Sequence, residues 1–279
     1  MASYAYYNGS FGKKEDIKIP LSDRSIFFGD AIYDVAIGVY DRILWEDEHI
    51  ERFLSNAKKL GFVHTYSKRS LSQLLREIAV RSMLKCYMIY FQLSRDNPTR
   101  NHSAVGSGTN MLITIEPITI EEHPKPMKLF TTPDLRYQYC RLKTTNLLPS
   151  VISATEAETR GCDEAIFTNK AFVTECTKSN ILMIKQGSII TPPVASNILP
   201  GIVRSHVFKI CRRFGIECKE KICTKTDLFS ADEILITSTT KMCKTACEID
   251  SIPVGGRNNN LVSLIQKELY KEFVDFCIK

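Results

Sequence analysis

LKTTNLLPSVISATEA, residues 142–157, sets one lysine between an apolar leucine and a run of small polar residues. It then opens a stretch that reads as a helix, with Pro149 in the first turn, where a missing N–H costs nothing. A lysine is ordinarily a solvated cation, and Lys143 fits that reading. Taken alone, such a lysine is far more often structural than catalytic, although burial would favour the neutral, nucleophilic form of an amine held at the edge of a core. Local chemistry leaves both open.

Working outward, the helix ends at Gly161, and the short strands EAIFTN and AFVTEC follow with a turn expected at Asn169-Lys170. ILMIKQGSIITPP reads as a hairpin pivoting on Gln186-Gly187. GIVRSHVFKICRRFGI is a helix stopped by Gly215, and DEILITSTT (232–240) a buried strand running into hydroxyl residues. Upstream, AIYDVAIGVYDRILW alternates as a hairpin around Asp41-Arg42. In EDEHIERFLSNAKKLGF, Ile50, Phe53, Leu54, Ala57 and Leu60 repeat at helical spacing, with acids in the first turn, lysines in the last and Gly61 as the stop. LSQLLREIAVRSML is a second helix, and YMIYFQLS and MLITIEPI are strands either side of a polar loop at 95–109. Two prolines among charges in TIEEHPKPMK mark an interdomain linker at 119–127, between an N-terminal domain 1–118 and a C-terminal domain 128–279 that carries Lys143. Hairpins and helices without regular strand-helix alternation indicate α+β domains.

Several residues beyond Lys143 have two readings each. Glu175, at the end of AFVTE, is a solvated strand-end acid or an anion fixed beside a cofactor nitrogen. Thr237 to Thr240 are ordinary caps or, with the helix start after LPGI (199–202), a phosphate cradle. Arg52 either reaches such a phosphate or is solvated. Arg100 and His102, in PTRNH, point the same way if extended, and an arginine offers a forked donor for a carboxylate.

Composition narrows the classes. The chain has 279 residues, 44% hydrophobic and 24% charged, the profile of a globular protein. No apolar run approaches a membrane span and the N-terminal stretch lacks a signal-peptide layout, so no membrane and a cytoplasmic home are expected. The net charge of +6 comes from scattered cations with no basic stripe, which gives nucleic-acid binding no support. Ten cysteines, nine of them after residue 139, form no set with metal-ligand spacing and read as reduced thiols, with Cys243 and Cys247 as buried small side chains.

Taken in order, six segments resemble the class IV aminotransferases, pyridoxal-phosphate enzymes of fold type IV: SDRSIFFGDAIYDV (22–35), EHIERF (48–53), LKTTNLLPSVISATEA (142–157), DEAIFTN with VTEC (163–176), LPGIVR (199–204) and DEILITSTT (232–240). The resemblance implies a two-domain α+β homodimer with pyridoxal 5'-phosphate between the domains. By matching positions, Lys143 resembles the lysine that carries the cofactor as a Schiff base, and Glu175 the carboxylate on the pyridine nitrogen. Arg52, Ile202, Val203, Ser238 and Thr239 fall where the family holds the phosphate, and Leu199 where it packs against the ring. Tyr33, Arg100 and His102 resemble the carboxylate trap of D-amino acid aminotransferases, in which the Arg and His come from the neighbouring subunit.

The activity so implied is transfer of an amino group between a D-amino acid of the D-alanine type and a 2-oxo acid such as 2-oxoglutarate or pyruvate, with Lys143 moving the Cα proton. An aminodeoxychorismate lyase or a branched-chain aminotransferase is the alternative of the same fold, and a weakly catalytic cofactor-binding protein a more distant one. Three places depart from the family pattern: Cys176-Thr177-Lys178 after Glu175, where a flexible glycine is usual; Val203 for a common Thr; and KMCKTAC (241–247) after the hydroxyl cluster.

Overall fold

The computed structural model describes residues 3–195 and 197–278, so the expected outer domain bounds at 1 and 279 lie outside the described residues. The chain divides into two units, Met1–Thr119 with Leu142–Asn146, and Ile120–Arg141 with Leu147–Lys279. Both combine helices with sheets, the α+β class expected.

The first unit comprises β1 (Tyr4–Tyr7), β2 (Ser10–Lys13), α1 (Arg24–Phe28), β3 (Ala31–Val39), β4 (Arg42–Ile43), α2 (Glu46–Lys59), α3 (Lys68–Ser82), β5 (Cys86–Asp96) and β6 (Gly108–Pro117). Its strands make one antiparallel sheet in the order β2-β1-β6-β5-β3-β4. Apolar faces of α2 (Ile50, Phe53, Ala57) and α3 (Leu71, Leu75, Ile78) share a core with Ile89, Phe91 and Ile113 of the sheet. Helix α2 has the acidic first turn and basic last turn read from its sequence, and Gly61 follows at φ +67°. The β1–β2 hairpin turns on Asn8-Gly9, both at positive φ, a signal the sequence reading passed over.

The lysine segment belongs here rather than to the C-terminal domain. Strand β4 pairs only with Gly38 and Val39, which leaves the start of β3 with an open edge. Residues 142–146 fill it: Thr144 bridges Ile32, the Tyr33 N–H donates to the Lys143 carbonyl at 2.9 Å, and the Thr145 N–H donates to that of Ala31 at 3.1 Å. Unpaired backbone at a sheet edge finds partners from any part of the chain, and sequence order does not show which.

The second unit comprises β7 (Met127–Pro133), α4 (Leu148–Thr159), β8 (Glu164–Asn169), β9 (Phe172–Cys176), β10 (Asn180–Lys185), β11 (Ser188–Thr191), α5 (Ile202–Arg213), β12 (Cys218–Glu220), β13 (Cys223–Thr224), α6 (Lys225–Ser230), β14 (Glu233–Ser238), β15 (Met242–Ile249), β16 (Ile252–Pro253) and α7 (Asn259–Ile278). A ten-stranded sheet runs β12-β11-β10-β14-β15-β7-β8-β9-β13, with β16 on β15. Its core includes Leu129, Ile166, Ile181, Ile234, Ile236 and Ile249.

The β10–β11 hairpin turns on Gln186-Gly187 as its sequence predicts. Two other turns sit one residue from the expected Asp41-Arg42 and Asn169-Lys170, at Tyr40-Asp41 and Lys170-Ala171, where Tyr40 and Lys170 take the positive φ. Cys243 is buried but Cys247 is exposed: β15 shifts register between Ala246 and Glu248, and Cys247 is the extra residue of that bulge. Among the described residues no helix is long and apolar enough to cross a membrane.

Gly38 in β3 sits opposite Tyr87, whose ring crosses over it so that the hydroxyl donates to the Tyr40 carbonyl at 3.1 Å. A Cβ at Gly38 runs into that ring. Gly38→Ala is expected to cost about 1–3 kcal/mol of first-unit stability through overpacking. Urea unfolding followed by fluorescence of Trp45, the single tryptophan, measures it.

Candidate active site

Lys143 is half-buried, and its ammonium lies 4.4 Å from the centroid of the Tyr33 ring. Tyr33 in turn stacks on Tyr90 at 5.1 Å between centroids. The next residue along β3 faces the other way, as strand alternation requires, so Asp34 is fully buried. Helix α2 brings it two partners. Arg52 donates from Nε to Asp34 Oδ2 at 2.8 Å and from Nη2 to Oδ1 at 2.7 Å, and His49 Nδ1 lies 2.8 Å from Oδ1. Burial alone raises the Asp34 carboxyl, but the Arg52 charge and the His49 hydrogen bond overcome it and hold the group below the usual carboxylate range. Burial pushes His49 down, and Asp34 opposes this without reversing it. The His49 Nε2 is buried without a hydrogen-bond partner. Arg52 is therefore neither solvated nor aimed only outward, since two of its nitrogens are committed to Asp34.

The loop carrying Arg100 and His102 is exposed at both side chains. Arg24 pins its backbone, donating to the carbonyls of Asn101 and His102, the latter at 3.0 Å, while its Nε holds Asp30 at 2.7 Å. Both loop side chains converge on Phe28: the Arg100 guanidinium is 5.2 Å from its centroid and the His102 ring 5.2 Å away edge-on.

In the second unit, Glu175 is buried near the end of β9. Arg136 Nη1 donates to its Oε1, and the Asn180 side chain and the Leu199 N–H donate to Oε2 at 2.9 and 3.1 Å. Arg136 is itself fixed by Asp134, which accepts at 2.9 and 2.8 Å, by the Asn197 carbonyl at 2.9 Å and by the Phe167 ring beneath it. Sequence reasoning named Glu175 and Leu199 but not Arg136, Asp134 or Asn180. Asp134-x-Arg136 lies in an irregular segment after β7, with no periodicity to mark it.

Ile202 and Val203 open α5, whose N-cap Gly201 supplies no side-chain acceptor to the first-turn N–H groups. A Cβ at Gly201 would meet the Asn180 amide, so the approach is open only to glycine. Ser238 and Thr239 are half-buried at the end of β14, and Thr237 Oγ1 before them is buried without a partner. Lys178 points to solvent, and burial pushes the Cys176 thiol up, so neither adds a reactive group.

The model of the amino-transferase class IV family matches residues 32–249. A D-alanine aminotransferase of Bacillus licheniformis is 33% identical over 279 residues, 98% of each chain. The chain belongs to the class IV aminotransferases. Among solved structures, a branched-chain aminotransferase of Thermoproteus uzoniensis covers 99% of this chain and 97% of its own at a TM-score of 0.88 and 22% identity. A putative 4-amino-4-deoxychorismate lyase of Legionella pneumophila covers 93% and 97% at 0.85 and 24%. Both share the fold, fold type IV.

The cofactor of this class IV aminotransferase is pyridoxal phosphate. The residues of each unit suit it: in the first, an amine beside an aromatic ring; in the second, a carboxylate paired with an arginine, an uncapped helix start and an orphaned buried hydroxyl, the groups its aldehyde, ring nitrogen and phosphate require.

Asp34 and Arg52 also set a pH dependence. The lowered Asp34 group contributes stability above the unfolded value of 3.8 that is lost as pH falls through the folded value, because there the unfolded chain binds the extra proton. Asp34→Asn is expected to destabilise most at neutral pH, with the gap to wild type closing below 3.8. Trp45-monitored urea unfolding across pH reads it.

Proposed function

We propose that this enzyme moves the amino group of a D-amino acid of the D-alanine type to a 2-oxo acid such as 2-oxoglutarate or pyruvate. The observation that carries the reading is Arg100. Among the described residues its guanidinium has no acid partner and lies against phenylalanine rings, beside His102. That is a carboxylate receptor, and with Tyr33 it corresponds to the trap of the D-specific branch. The full-length likeness to a D-alanine aminotransferase supports the same branch.

In this reading Lys143 holds the cofactor and, once released, carries the proton to and from the substrate Cα. Glu175 holds the proton at the ring nitrogen, and Arg136, Asn180 and the Leu199 N–H fix its charge and aim. When bound, the cofactor supplies an electron sink for the charge developing at Cα. Ile202 and Val203 N–H groups, Ser238, Thr239 and Arg52 bind the phosphate, and Leu199 lines the ring. Trapping the carboxylate presents the Cα–H of one enantiomer to the amine. The enzyme acts as a cytoplasmic homodimer. Apolar side chains left exposed on α1 (Ile26, Phe27) and α4 (Leu148, Val151, Ile152) suit a subunit contact, and ten free thiols suit a reducing compartment.

Purified enzyme given D-alanine and 2-oxoglutarate is expected to form pyruvate and glutamate, with the cofactor absorbance changing for D-alanine and not for L-alanine. Turnover of L-leucine or aminodeoxychorismate without D-alanine overturns the branch assignment. Arg100→Ala is expected to raise KM for D-alanine roughly tenfold or more, the loss of a charge-assisted hydrogen bond, with the cofactor spectrum unchanged. Loss of the cofactor in that variant contradicts the role given to Arg100.

A further inference from the structure

We propose that Glu164 and Lys241 form a charge latch that sets the two cofactor-holding loops of the second unit together, an inference that rests on the site reading above. Glu164 opens β8 with its side chain wholly buried. Its Oε1 accepts the Lys178 N–H at 2.7 Å, and its Oε2 accepts the Ser179 hydroxyl at 3.0 Å and the Lys241 ammonium. Lys178 and Ser179 lie in the loop between Glu175 and Asn180, whose side chains are themselves joined at 2.9 Å. Two backbone bonds tighten the same loop, from the Cys176 N–H to Ser179 at 2.8 Å and from the Thr177 N–H to Ala165 at 3.1 Å. Lys241 directly follows Ser238, Thr239 and Thr240 in the turn from β14 to β15. One carboxylate therefore ties the loop between Glu175 and Asn180 to the residue that ends the hydroxyl turn.

The charge balance makes the latch specific. A carboxylate with two neutral donors in a buried site still lacks a counter-charge, and burial without one is costly. Lys241, mostly buried itself, supplies it. Without that ammonium the Glu164 carboxylate is left buried without a counter-charge, which alters what the 176–179 loop is tied to. The latch also accounts for a loop with Cys176, Thr177 and Lys178 where the family has a flexible glycine, since the loop is fixed by a buried acceptor rather than by its own backbone freedom.

The test uses the holoenzyme of wild type, Lys241→Met, Lys241→Arg and the double variant Lys241→Met with Glu164→Gln. Dissociation of pyridoxal phosphate is followed by absorbance during dialysis, alongside melting of each apoprotein. Lys241→Met is expected to weaken cofactor affinity about tenfold or more, as for a buried charge deprived of its partner. Lys241→Arg is expected to keep wild-type affinity, and the double variant to recover most of the loss because the unpaired charge is gone. Wild-type affinity in Lys241→Met overturns the latch. So does a double variant no better than the single one, which marks a loss of packing alone. If Lys241→Met does not fold, a folded, cofactor-binding double variant supports the latch, and failure of both overturns it. Lys143→Ala distinguishes the wider failure: if its spectrum with the cofactor equals that of wild type, the site reading falls as well.

Discussion

Three donors converge on the Glu175 carboxylate inside the second unit, and the elements around it are arranged to bring those donors in. β9 carries the acid, β10 starts with Asn180, the approach to α5 presents the Leu199 N–H, and the segment after β7 returns Arg136. A buried pair of this kind adds little net stability, since desolvation of both charges offsets their attraction. Removing one partner is another matter, costing roughly 3–5 kcal/mol through the charge left behind. The cluster therefore acts on geometry more than on stability. It gives the carboxylate one orientation, and Asp134 below Arg136 prevents the arginine from choosing another.

The first unit uses the same device at Asp34. A charged side chain on the inner face of β3 is tolerable only with a cation and a hydrogen bond, and α2 supplies both from its buried side at His49 and Arg52. Tyr33, one residue earlier and on the opposite face, is thereby fixed in height and direction beside Lys143. The lysine segment is held by backbone bonds to the open start of the same strand. Position of the amine thus depends on β3 twice, through its edge and through its buried acid.

Much of this was legible in the sequence where periodicity or turn chemistry carries it: α2 with its charged ends, the hairpin on Gln186-Gly187, the buried run of β14. The α+β class followed from the order of such elements. What was not legible were contacts made across the chain. Residues 142–146 join the first unit because an edge of β3 is uncovered, which no local pattern around Lys143 records. Arg136 and Asn180 matter only because distant strands bring them to Glu175. Lys241 looked like a departure from a family pattern and is a partner of Glu164, 77 residues away. Arg52 was read as a phosphate ligand or a solvated charge; its hold on Asp34 required knowing that Asp34 faces inward.

The arginines differ in whether they have acid partners. Arg24 and Arg95 hold Asp30, Arg52 holds Asp34, and Arg136 holds Asp134 and Glu175. Each of these guanidiniums is paired with an acid of its own unit. Arg100 differs in being exposed, without an acid among the described residues, on a loop whose backbone Arg24 has already fixed. Stacking on Phe27 and Phe28 limits its motion without satisfying its charge or its forked donors. In the proposed reading, an arginine prepared in this way would lose little conformational freedom on binding a carboxylate, so the binding energy would go into orienting the substrate rather than ordering the receptor. In that same reading, the fixed backbone of the loop is what would let Arg100 discriminate between substrates.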